Sequence, residues 1–272
     1  MTRIGSLSAY VEGIGLLGPG LTDWPSSHSI LDGSQPYQAG KTVLPSPALL
    51  PAAERRRSGT LVKLTLATGL EAIKHAGLQA STLPSVFASS GGDGENCHAI
   101  CEVLASDDRQ ISPTRFHNSV HNTASGYWSI ATGAMTTSSV LSAFDGSFGA
   151  GLLEALTQTV VDNTPVVLLA CDTAYPEPLH AARPIPDAFG IALVLAPQRS
   201  TQSLAKITVS LTDAKADSLD DATLESLRLA IPAARGLPLL RALLPVIVKQ
   251  QDQRTVLDYL DSTRLAVTVS PC

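Results

Sequence analysis

The sequence predicts an α/β layered fold, a mixed sheet covered by helices. Three observations carry that reading. Apolar runs of strand length alternate with stretches of helical periodicity up to about residue 198. "TPVVLLACD" is continuously apolar rather than alternating, as in a strand covered on both faces. The 272-residue chain is 44% hydrophobic, 16% charged and only 4% aromatic, so a large core of Ala, Leu, Val and Ile is implied and disorder is not.

The elements follow in order. "AYVEGIGLLGPG" reads as a first strand stopped by glycine punctuation. Residues 19–50 form a Pro/Ser/Gly-rich excursion with little regular structure. In "SGTLVKLTLATGLEAIKHAGL", Val62, Leu66, Leu70, Ile73 and Leu78 recur near 3.6 spacing, with Ser58 placed to cap and Gly77 to end the helix. "PSVFASS" is a short strand, and "GGDGENCHAICEVLAS" a Gly-rich turn into a helix. "ISPTRFHNSVHNTASGYWSIATGA" reads as a loop that becomes helical near Asn122. "TSSVLSA" is a strand, "GSFGAGLLEALTQTVVDN" a helix, and "DAFGIALVLAP" a further strand. Beyond 198, "LAKITVSLT" and "RLAVTVSP" read as strands, and "DDATLESLRLAIPAARGLPLLRALLPVIV" as helices interrupted by Pro232, Gly236 and Pro238.

Composition also excludes. The net charge of −5 and the lack of a long basic stripe argue against a nucleic-acid partner. The start lacks the apolar core and small-residue cleavage site of a signal peptide. "GLPLLRALLPVIVKQ" is too short to span a bilayer and carries Arg241 and two prolines. A cytoplasmic protein without a membrane span is the expectation. Cys97 and Cys101 lie four apart on the expected helix, with His98 between them, but no second ligand pair follows at finger-like spacing, so reduced thiols are expected and no metal.

Four stretches carry chemical possibilities. "SSGGDGEN" offers backbone N–H groups to an anion, yet it lacks the Lys and Ser/Thr of a phosphate loop, and a plain strand-to-helix turn explains it. "DGSFG" nearly reads as a serine elbow around Ser147, but His180 is the last histidine and is poorly placed to complete a triad. "FHNSVHN" sets His117 and His121 four apart beside Asn118 and Asn122, without the glutamate of a zinc-binding pair; loop anchoring comes first, pocket lining second. "ERRRS" places Arg55, Arg56 and Arg57 together, either as a solvated helix entrance or as a dock for an acidic partner.

Taken together, "VEGIGLLGPG", "RRRSGTLVKLTLATGLEAIKHAGL", "PSVFASSGGDGE", "SPTRFHNSVHNTASGYWSIATGA", "SSVLSAFDGSFGAGLLEAL", "PVVLLACD" and "DAFGIALVLAP" resemble the β-ketoacyl synthase family, thiolase-like in fold. The central stretch is similar to short synthase-like proteins of aryl polyene, xanthomonadin-type pigment pathways. The resemblance covers roughly residues 8–198, is most specific at 111–156, and weakens beyond. It implies a ketosynthase-like half over 1–198 and a shortened α/β segment over 199–272 that packs on it.

The resemblance also sets out departures. Active synthases hold a cysteine on the bend after the strand, where a helix N-terminus lowers the thiol pKa and binds the oxyanion. Aligned on that bend, this chain has Phe144, in a vestigial elbow of Phe144, Asp145, Gly146 and Ser147. The family's two later histidines have no counterpart after His180. The pattern looks like a chain-length factor without catalytic residues or cofactor, paired with a catalytic β-ketoacyl synthase as a heterodimer, or alternatively with itself. In the family the strand before the elbow pairs across the two-fold axis. Phe144 is then a plug, a tunnel wall or simple core packing, while His117, Asn118, His121 and Asn122 line the tunnel or interface. Arg55, Arg56 and Arg57 are the expected dock for an acyl carrier protein. The alternatives are a divergent acyltransferase or hydrolase using Ser147, or Cys97 with His117 or His121, and a homodimeric carrier-protein scaffold.

Overall fold

The computed structural model describes residues 5–272. Strand β1 (Ser6–Leu17) opens the chain. The excursion that follows holds one short helix, α1 (His28–Leu31). Helix α2 (Ala52–Arg57) carries the arginines, and α3 (Thr60–Ala76) is the amphipathic helix. Then come β2 (Ser85–Ala88), α4 (Gly94–Ala105), α5 (Pro113–His117), α6 (Thr123–Thr132), β3 (Ser138–Leu141) and α7 (Ser147–Val161). Strand β4 (Val166–Asp172), helix α8 (Leu179–Ala182) and strands β5 (Phe189–Ala196) and β6 (Ala205–Thr212) follow. Helices α9 (Ala222–Ala230) and α10 (Leu237–Lys249) and strands β7 (Gln253–Leu257) and β8 (Arg264–Ser270) end the chain.

One eight-stranded sheet joins these elements in the order β3-β2-β4-β5-β1-β6-β8-β7. β3, β2 and β4 pair in parallel, and every other neighbour is antiparallel. Parallel strands need a helical crossover, and α4–α6 and α7 supply it. β4 and β5 are buried along their whole length, as their unbroken apolar sequence requires. The sheet divides two apolar clusters. One lies under α7, α9 and α10 around Phe148, Leu152 and Leu239. The other lies under α3 and α6 around Leu64, Leu66 and Trp128. Trp128, Phe148 and Phe189 are fully buried, each contributing roughly 2–3 kcal/mol of transfer free energy.

Local chemistry explains the joins. A register shift in β1 between Val11 and Gly13 singles out Glu12, whose buried carboxylate accepts from the Ser200 and Ser203 hydroxyls at 2.6 and 2.5 Å. At Gly13 and Gly15 a Cβ would overlap the Ala72 and Thr68 carbonyls, so α3 rests backbone to backbone on β1.

Several local expectations need correcting. Ser58 does not cap α3: its hydroxyl donates to the Arg55 carbonyl at 2.8 Å, and Gly59 is the N-cap. Gly77 does end the helix, at φ 65°. Pro238 interrupts nothing, because it sits in the first turn of α10, where no N–H is needed; the break lies at the 3₁₀ turn Pro232–Gly236. Pro245 is tolerated inside α10. The segment read as loop holds α5 before α6, and β7 had no reading of its own. No helix among the described residues is long and apolar enough to cross a membrane.

Candidate functional site

Strand β3 runs directly into the bend Ser142–Gly146, and α7 begins at Ser147. The hydroxyl of Ser147 closes this bend. It accepts from the Ala143 N–H at 3.0 Å and donates to the Phe144 carbonyl at 2.7 Å, with the residue 1% exposed. Both capacities of Ser147 are thus spent on the turn. Glycine is needed twice on this face: a Cβ at Gly146 or Gly149 would overlap the carbonyl of Tyr259 or Asp258. The connection from β7 to β8 therefore packs with its backbone on the start of α7.

Phe144 has φ 52°, in the left-handed region. That conformation costs an L-residue about 1–2 kcal/mol. The residue is 65% exposed, so its ring is not packed in the core. The Arg183 guanidinium stacks on it, with Cζ 3.6 Å from the ring centroid. Beside the ring is a depression of about 570 Å³ lined by Phe144, Asp145, Arg235, Tyr259, Leu260 and Arg264, among others, and by no histidine.

A chain of ion pairs ties the bend to the last quarter of the molecule. Asp145 is bracketed by Arg183 at 2.8 Å and Arg235 at 3.3 Å. Arg235 also reaches Asp258 at 3.1 Å, and Arg228 reaches the same carboxylate at 2.8 Å. Arg228 then grips Glu225 at 2.7 and 2.8 Å. The Arg228 guanidinium holds the Glu225 carboxyl below its usual range, and Glu225 in turn raises Arg228. Three cations and three anions balance. None of the six residues but Asp145 stood out in the sequence, where they are isolated charges on four separate segments.

The bend after β2 is built differently. Asp172, at the end of β4, accepts from the Ser90 N–H at 2.7 Å and hydroxyl at 2.8 Å, and from the Ala233 N–H at 2.8 Å. Burial pushes its carboxyl above the usual range. Asp93 caps α4 through the Asn96 N–H at 3.0 Å. Tyr175 packs against the turn at Gly91 and Gly94. The Gly-rich turn is thus occupied by the chain's own side chain.

The remaining residues singled out in the sequence are dispersed. Asn118 is buried: its amide donates to the Arg57 carbonyl at 3.1 Å and its oxygen accepts from the Tyr127 hydroxyl at 3.2 Å. It is the loop anchor of its segment. His117, His121 and Asn122 are exposed around it. Cys97 has its Sγ 3.7 Å from the Ser119 carbonyl, and burial pushes its thiol above the usual range. No histidine contacts it among the described hydrogen bonds. Burial pushes the inert Cys171 up to about 12. Arg55 donates to the Ala48 and Leu50 carbonyls at 3.2 and 3.1 Å, and Arg57 pairs with Glu54 at 3.2 Å. Arg56 forms neither contact among the described residues. The three arginines do not converge on the elbow.

This strand–bend–helix in a mixed sheet accords with the sequence profile that matches residues 31–245, that of the β-ketoacyl synthase N-terminal domain. The chain belongs to the β-ketoacyl synthase family. No curated protein matches this synthase-family chain by sequence. Among solved structures, a ketosynthase (ApeO) in complex with its chain length factor (ApeC) from Xenorhabdus doucetiae is similar at TM-score 0.71 and 22% identity, covering 96% of this chain and 99% of that one. AntDE:AntF, a type II polyketide-synthase acyl-carrier protein in complex with its ketosynthase, is similar at TM-score 0.73 and 11% identity, over 98% and 100%. The ishigamide ketosynthase/chain length factor follows at 0.68 and 12%, over 97% and 99%. These likenesses establish the thiolase-like fold of this ketosynthase-like chain.

Proposed function

We propose that this chain is a non-catalytic, chain-length-factor-like subunit that pairs with an active β-ketoacyl synthase in type II elongation of an aryl polyene. The observation that carries the reading is Phe144 itself. It occupies the left-handed position of the elbow, where a nucleophile would stand, and its ring neither attacks nor ionises. The depression beside it is lined by arginines, aspartates, Tyr259 and Leu260 and lacks the histidine that the family's chemistry uses.

The sheet edge supports a partner. β3 is bonded to β2 on one side and is the terminal strand on the other. Bare edges invite pairing. Between Leu104 and Phe144, the side chains of Leu104, Phe116, Val120, Ile130, Met135 and Phe144 are all exposed, Met135 at 94%. Such apolar surface is costly unless covered. The acyl carrier protein then meets the pair rather than this chain alone, and Arg56 is the member of the arginine cluster whose guanidinium makes no hydrogen bond or ion pair among the described residues.

The test is co-expression with an active synthase, size-exclusion chromatography, and mass spectrometry of products. A one-to-one complex is expected, with no condensation by this chain alone. Condensation of malonyl-carrier substrate with an acyl primer by the purified chain overturns the reading, and a synthase that elutes separately and makes the same products without it overturns the pairing.

A further inference from the structure

We propose that Arg183 is a positioning residue for Phe144, and that through the ring it sets the length of the acyl chain the pair releases. This rests on the chain-length-factor reading above and takes, of the roles the resemblance leaves open for Phe144, the tunnel wall. The argument begins from strain. A bulky aromatic residue at φ 52° carries a backbone cost, and such strain persists only where the surroundings over-determine it. An exposed ring in open water needs no such conformation.

The surroundings here restrain both backbone and ring. Ser147 fixes the bend beneath Phe144 through two hydrogen bonds. The Tyr259 carbonyl lies directly against Gly146, so the bend cannot shift toward the β7–β8 connection. Neither contact touches the ring. The Arg183 guanidinium does, stacking on its face with Cζ 3.6 Å from the ring centroid. Arg183 is itself held by the Asp145 carboxylate at 2.8 Å, whose other oxygen is held by Arg235. The side chain of Arg183 is only 18% exposed, so a cation on a flexible stem is fixed in one place. A planar guanidinium paired edge-on to a carboxylate leaves its face free to stack, a geometry that lysine does not reproduce. Arg183 thus holds from one face a ring that itself lines the 570 Å³ depression.

The experiment uses the co-expressed complex with Phe144→Ala, Arg183→Gln and Arg183→Lys. Product length is read by mass spectrometry and complex formation by size exclusion. In parallel, 4-fluorophenylalanine placed at position 144 reports on the ring by ¹⁹F NMR in the isolated chain. The expected result is a shifted product distribution for Phe144→Ala, a shift in the same direction for Arg183→Gln, and a smaller one for Arg183→Lys, all with the complex intact. The ¹⁹F resonance should move and narrow in Arg183→Gln, because the ring then reorients freely. A role confined to holding the α8 segment would alter stability but not product length. If Phe144→Ala shifts the products and Arg183→Gln does not, the positioning role is overturned while the tunnel reading stands. If Phe144→Ala itself is silent, the tunnel reading fails, and with it the part given to Arg183. An Arg183→Gln chain that does not fold leaves Arg183→Lys to decide: wild-type products together with an unmoved ¹⁹F resonance overturn the proposal.

Discussion

Two bends lie side by side on neighbouring parallel strands, and they are secured in opposite ways. The bend after β2 is tied from within. A buried carboxylate, Asp172, gathers its N–H and hydroxyl groups, Asp93 caps the helix, and Tyr175 packs against the turn. The bend after β3 is tied from outside. Besides the Ser147 hydroxyl and the Tyr259 carbonyl packed on Gly146, its restraints are an ion-paired, half-exposed Asp145 and a guanidinium on an exposed ring. A Ser142 hydroxyl donating to the Ser90 carbonyl at 3.0 Å joins the two. The first bend is a structural joint. The second spends restraint on presenting a side chain, which is what a site does.

Substitutions should separate the two. Asp172→Ala should have the largest effect on folding, because it strands several buried donors at once; about 3 kcal/mol is expected, read by urea unfolding. Ser147→Ala should cost about 1–2 kcal/mol by the same measurement, since it leaves the Ala143 N–H without its partner in a buried turn. A loss from Ser147→Ala equal to that from Asp172→Ala would erase the contrast between the bends. At position 144 the two ring-deleted variants sharpen it. Phe144→Gly should be more stable than Phe144→Ala by about 1 kcal/mol, because glycine alone adopts φ 52° without strain. Equal stabilities would mean that the elbow stores none.

The smallest effect concerns pH and the outer ion pairs. Glu225 has its pKa lowered from the usual 4.5 by Arg228. A depressed carboxyl contributes stability that is present above the unfolded value and is lost as pH falls through the folded one. The stability advantage of wild type over Glu225→Gln should therefore hold at neutral pH and fade progressively as pH drops below about 4.5. An advantage that survives at lower pH would show that the carboxylate charge is not what Arg228 reads. High salt should trim the advantage only modestly, since Arg228 is 6% exposed.

Legibility in the sequence followed the range of the forces involved. β4 and β5 were readable because burial on both faces demands an unbroken apolar run. α3 and α7 were readable from periodicity, and the elbow from a strand, a Gly-Ser bend and a helix in succession. β7 was not, because "QRTVL" is short and edge-exposed, and only its pairing with β8 makes it a strand. Ser58 misled because its hydroxyl has two candidate partners within three residues, and the α2 carbonyl won. The ion chain from Arg183 to Glu225 left no mark, because its six charges lie on separate segments from 145 to 258 and no local rule relates them.

Local pattern was enough for the α/β class, for the strands and helices that answer to it, and for the phenylalanine at the elbow. It determined these because hydrophobic period and turn chemistry act over a few residues. Where that phenylalanine points, which guanidinium stacks on it, and that Asn118 anchors a loop while His117 and His121 face solvent all emerge only on folding. Those outcomes depend on the order in which strands pair across the sheet. That order is fixed by how all the apolar surfaces are buried together, and no short stretch of the chain encodes it.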